Sequence, residues 1–171
     1  IMDIGRKKTA VFLVIQDEKK TYHALATIFI KQCYESLIDV AQQAPDGKLK
    51  VRTNFILDEF ANLPALKDVT TMITAARSRQ IRFNLIIQNF AQLNQVYGAE
   101  EAETIKGNCG NTIYLLSSEL KSLEEISKLA GERKIKNKDK EEVRPLVSVA
   151  ELQRLKFKDA IILRHRSSPF K

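Results

Sequence analysis

The chain has 171 residues, of which 44% are hydrophobic and 29% charged, and a formal charge of +7. That size and balance exclude a disordered polymer and leave room for one domain with a sizeable core. No apolar run approaches bilayer-crossing length. The N-terminal Ile1-Met2-Asp3-Ile4 lacks the basic and apolar regions of a signal peptide, and an isoleucine ahead of the methionine reads as an excised piece of a longer protein. Much of the positive excess lies in residues 133–138 and around Lys156, Lys158, Arg164 and Arg166. It is compatible with a nucleic-acid partner and equally with a solvated surface.

In chain order, the apolar run 9–15 predicts a strand covered on both faces. A helix is predicted over 22–43, with Leu25, Phe29, Cys33, Leu37 and Ala41 at helical spacing and Thr21 as its cap. Pro45-Asp46-Gly47 marks a turn. A strand over 51–60, a helix over 65–79 and a third strand over 82–88 follow, then short helices over 90–97 and 100–106. The turn Gly107-Asn108-Cys109-Gly110 precedes a strand over 112–116. A helix over 119–130, capped by Ser118 and stopped by Gly131, leads into a charged linker over 132–143. Ser148 and Glu151 have capping-box spacing for a short helix, and a last strand covers 160–163. Strands alternating with helices predict a single α/β domain over 1–171, with a mainly parallel sheet and helices on both faces.

Cys33 and Cys109 lack a C-x-x-C partner and read as reduced thiols of a cytoplasmic protein. His23 and His165 have no acid or cysteine at zinc-ligand spacing.

The block Asn54-Phe55-Ile56-Leu57-Asp58-Glu59-Phe60 carries the most chemistry. An apolar strand ends in adjacent carboxylates, at the edge where open α/β sheets bind ligands. There Asp58 suits a hydrated magnesium ion and Glu59 suits polarisation of an attacking water, although a surface turn can also end in two acids. Gln88 ends the next strand in the corresponding place, where an amide can bond both a γ-phosphate and a water. Arg77 and Arg79 close the intervening helix. They can reach a neighbouring subunit's nucleotide, or simply stabilise the helix C-terminus; taken alone, the second reading is favoured.

The run Ile56-Leu57-Asp58-Glu59-Phe60-Ala61-Asn62-Leu63-Pro64 resembles the Walker B region of the type IV secretion coupling proteins, the ATPases of bacterial conjugation. Ala75-Ala76-Arg77-Ser78-Arg79, Asn84-Leu85-Ile86-Ile87-Gln88, Gly110-Asn111-Thr112 and Arg144-Pro145-Leu146 resemble later segments of that family in the same order. The resemblance implies a RecA-like P-loop ATPase, of which this chain is a C-terminal portion. It implies magnesium held by Asp58, water activated by Glu59, γ-phosphate sensed by Gln88 and an arginine acting in trans, Arg77 or alternatively Arg79. ATP and Mg2+ are then the cofactors. Single-stranded DNA, its relaxase and other secretion components are the partners, in a hexamer tethered to the cytoplasmic face of the bacterial inner membrane.

One departure is plain: no segment matches G-x-x-x-x-G-K-S/T, so the phosphate-loop strand of such a fold is missing and the chain alone is expected to be inactive. The acid pair does not by itself separate this class from chromosome-partitioning or packaging motors. A non-catalytic adaptor for DNA or protein is the third possibility.

Overall fold

A computed structural model describes residues 3–16, 20–137 and 140–170. They form two compact units with separate cores, one made of the chain up to Gln88 with Gln92–Asn108, the other of Asn89–Ala91 with the chain from Cys109 onward.

The first unit is built around a strand–helix–strand crossover. Strand β1 (Thr53–Leu57) pairs in parallel with β2 (Ile81–Leu85), Thr53 opposite Ile81 and Leu57 opposite Leu85. Helix α2 (Val69–Ala76) connects them and packs on β2. The long helix α1 (Lys20–Gln42) buries Ala26, Ile30, Cys33, Tyr34, Leu37 and Ala41, a stripe at three- and four-residue intervals. Helix α3 (Phe90–Tyr97) contributes Leu93 and Tyr97 to the core, and α4 (Ala99–Asn108) contributes Ala102 and Ile105 while packing on α2.

Strand alternation turns Phe55, Leu57, Ile81, Phe83 and Leu85 toward this core, where the Phe55 and Phe83 rings stack at 4.9 Å. Asn54, Ile56, Arg82 and Asn84 face away and are exposed, Ile56 by 69%. Helices on both faces were expected; among the described residues only the inner face of this pair is covered. An apolar strand signals that it can be buried on both sides, not that it is.

The second unit pairs β3 (Asn111–Tyr114) antiparallel with β6 (Ile161–Arg164). Tyr114, Ile161 and Leu163 pack with Leu123, Ile126 and Ala130 of α5 (Leu120–Ala130) and Leu152 of α6 (Val149–Gln153). Between the helices, β4 (Glu132–Asn137) and β5 (Lys140–Pro145) form an antiparallel ladder.

Four expectations are corrected. One mainly parallel sheet was expected; the described strands form three two-stranded sheets, one parallel and two antiparallel. The run 9–15 forms no strand and is largely open to solvent, with Phe12 89% exposed. The 132–143 segment is the β4–β5 hairpin rather than a linker. Its register places Lys136 opposite Glu141, and Leu146 N–H donates to the Gly131 carbonyl at its base. Backbone pairing with a partner segment makes this a ladder, which composition alone disguises. Helix α5 starts one residue later than expected: Glu119, not Ser118, stands at its N-cap and accepts a hydrogen bond from the Ser122 hydroxyl.

Candidate functional site

The carboxyl end of β1 is shaped by a reversal at Glu59, which adopts left-handed backbone angles, φ 48° and ψ 43°. Phe60 follows, fully buried and stacked on Tyr97 at 5.4 Å. The Phe60 N–H donates to the Ile86 carbonyl at 2.9 Å, and the Ile86 N–H donates to the Leu57 carbonyl at 3.0 Å. These bonds stitch the chain just past β1 to the chain just past β2. Both strand ends therefore deliver their polar residues to one edge.

At that edge the Gln88 Nε2 donates to Glu59 Oε1 at 3.3 Å, and the Asn62 Nδ2 donates to Glu59 Oε2. Gln88 Oε1 in turn accepts from Gln92 Nε2 at 3.3 Å. Asp58 sits beside them, its Oδ1 accepting the Glu59 N–H at 3.1 Å. Asp58, Glu59, Asn62 and Gln88 are all solvent-exposed. The two amides hold both oxygens of Glu59 and so fix the plane of its carboxylate, while Asp58 Oδ2 has no protein donor among the described residues. That free oxygen on a rigid strand end fits outer-shell attachment of a hydrated magnesium ion, which demands hard oxygen and keeps most of its waters. Among the described residues no three acids, histidines or cysteines gather into a metal cluster, so a cation here would lean on water and phosphate oxygens.

Asn62 and Gln92 are the residues that sequence reasoning left without a role. The signal for Asn62 was its position three residues after Glu59, which a tight 3-10 turn (Phe60–Asn62) converts into contact. Gln92 lies in the first turn of α3, four residues after Gln88, which precedes that helix.

The arginines lie elsewhere. Arg77 and Arg79 belong to the 3-10 turn Arg77–Arg79 that precedes β2, at the amino end of the strands. Five strand residues, about 17 Å, separate that end from the acids. The first unit therefore gathers Asp58, Glu59 and Gln88 at one end of the strands and leaves Arg77 and Arg79 at the other. Arg77 is exposed, whereas Arg79 is half-buried and donates from Nη1 to the Gly47 carbonyl at 3.0 Å. The Cβ that any other residue would add at Gly47 meets that Nη1 at 2.8 Å, and Gly47 has φ +67°. Arg79 is thus a strut of the fold.

The fold of the chain has solved counterparts. The plasmid coupling protein TrwB, solved with the GTP analogue GDPNP, superimposes with a TM-score of 0.72 at 21% identity, over 88% of this chain and 37% of TrwB. TrwB with ADP and Mg2+ gives 0.72 at 22% identity, over 88% and 36%. VirD4 of Rhizobium radiobacter is 27% identical over 133 residues, which is 77% of this chain and 19% of VirD4. The chain thus spans about a fifth of the length of that curated relative.

The family described as the TraM recognition site of TraD and TraG matches residues 52–157. The chain belongs to that family and corresponds to a C-terminal part of a type IV coupling protein.

Proposed function

We propose that this chain is part of a RecA-like, ATP-hydrolysing coupling protein that recruits single-stranded DNA and its relaxase and drives them into a type IV secretion channel. The observation that carries this reading is the Gln88–Glu59–Asn62 bonding at the edge where Asp58 also stands. Asp58 holds the hydrated Mg2+, Glu59 accepts the proton of the attacking water, and Gln88 donates to the γ-phosphate oxygen. What Mg2+ supplies there is neutralisation of the charge on the phosphoryl oxygens. Arg77, exposed at the opposite end of the strands, serves the nucleotide of an adjacent copy in a hexamer; Arg79 is committed to Gly47. No helix among the described residues is long and apolar enough to cross a membrane. Attachment to the cytoplasmic face of the inner membrane, and contacts with other secretion components, belong to the whole coupling protein.

The family description favours one further reading, a docking surface for a relaxosome protein. Glu59→Gln in the full-length parent separates the two. A motor keeps nucleotide binding, loses ATP turnover by at least about a hundredfold and loses DNA transfer. Unchanged transfer would leave only the docking role.

A further inference from the structure

The amino end of the β1–β2 pair holds a cavity of about 430 Å3, lined by Lys48, Arg52, Thr74, Arg77, Ser78 and Gln80. Its three cations come from separate segments: the loop after α1, the residue before β1, and the turn after α2. The backbone beneath them is fixed. Leu49 N–H donates to the Arg79 carbonyl at 3.2 Å and Thr53 N–H to the Gln80 carbonyl at 3.1 Å. Leu49 itself is only 2% exposed.

No carboxylate lines the cavity, and among the described residues none of the three cations forms an ion pair. A helix C-terminus accounts for Arg77 alone, since Lys48 and Arg52 lie on other segments. Three like charges around one opening repel until an anion enters, and guanidinium forks match phosphate oxygens.

We infer that this cavity is a polyphosphate site whose ligand is the phosphate chain of a nucleotide carried by an adjacent copy, and that Lys48 and Arg52 bind it together with Arg77. The inference rests on the proposed nucleotide edge at Asp58, Glu59 and Gln88. A chain cannot bring its own cavity to that edge, because the strands hold the two about 17 Å apart. A head-to-tail contact between copies places one against the other, the geometry that closes into rings.

The test titrates tripolyphosphate into the 171-residue chain at low salt, read by backbone amide NMR. Shifts concentrated in residues 48–53 and 74–80 are expected. Lys48→Gln, Arg52→Gln and Arg77→Gln should each weaken binding roughly two- to fivefold, the range of exposed charge pairs. Lys121→Gln in the second unit should leave it unchanged. Shifts elsewhere, or wild-type affinity in Lys48→Gln and Arg52→Gln, would overturn the inference. Oligothymidylate shifting the same amides with higher affinity per phosphate would reassign the cavity to a nucleic-acid strand and overturn the nucleotide assignment.

In the full-length parent, lost turnover in Arg77→Gln with normal turnover in Lys48→Gln and Arg52→Gln would sink the inference and spare the motor. Unchanged transfer in Glu59→Gln would remove the motor and, with it, the nucleotide assignment of the cavity.

Discussion

Glu59 occupies a backbone region that costs a non-glycine residue about 1–2 kcal/mol, and the burial of Phe60 directly after it offsets that cost. The strain turns the carboxylate back toward Gln88 and Asn62. Removing Asn62 frees one oxygen of Glu59 to rotate. Asn62→Ala in the full-length parent is therefore expected to lower kcat about 10- to 100-fold, with KM for ATP little changed, in a steady-state ATPase assay.

Tyr97 anchors the chain that follows this turn. Its hydroxyl oxygen accepts the Leu66 N–H at 3.1 Å, and burial pushes its pKa up to about 12. Tyr97→Phe leaves that buried N–H without a partner and should cost about 1–3 kcal/mol by urea unfolding. A raised phenol contributes stability that is complete below about pH 10, the unfolded value. It is lost as pH rises through about 12. Stability measured at pH 9 and pH 11 should therefore fall more in the wild type than in Tyr97→Phe. Burial also raises the Tyr34 hydroxyl, which keeps part of the fall in both proteins. Asp58, Glu59 and Gln88 could be placed at strand ends because each closes an apolar run in the sequence. The support from Asn62 depends on a turn whose geometry the residues do not announce.

Among elements, α6 shows how local chemistry serves a core. Its five residues include Leu152, fully buried, and Ser148 and Glu151 close a reciprocal capping box at its start. Ser148→Ala should cost about 1 kcal/mol, read as faster amide exchange across α6 and the packed face of α5. The Ser148 backbone and hydroxyl donors hold the Glu151 carboxyl below its ordinary value, so the cap weakens as pH falls through that depressed pKa. This box and the α1 stripe could be read from spacing, because both depend on residues three or four apart. The β1 and β2 strands, apolar runs bounded by polar ends, were also found.

Two elements were misread for a common reason. Strands exist only with partners: the apolar run 9–15 has none among the described residues, whereas the charged 132–137 segment finds one in 140–145. Composition predicts willingness to pair, not the pairing.

For the whole molecule, the family match over residues 52–157 supports the coupling-protein reading, while the sequence holds no phosphate-loop motif. The purified 171-residue chain should accordingly show negligible ATP turnover by phosphate release, because no backbone cradle or loop lysine meets the β-phosphate. Turnover of even about 1 per second, within the usual enzyme range, would refute that expectation.

The sequence by itself determined the helix stripe, the capping box and the residues at the strand ends, since each follows from spacing along the chain, and its resemblance to the coupling proteins indicated the class. Tertiary structure alone decided that Asp58, Glu59 and Gln88 meet at one edge while Arg77 stands at the other. Parallel pairing through a crossover helix sends both carboxyl ends one way and returns the helix C-terminus to the opposite end, a constraint that is fixed by the register between strands far apart in the chain.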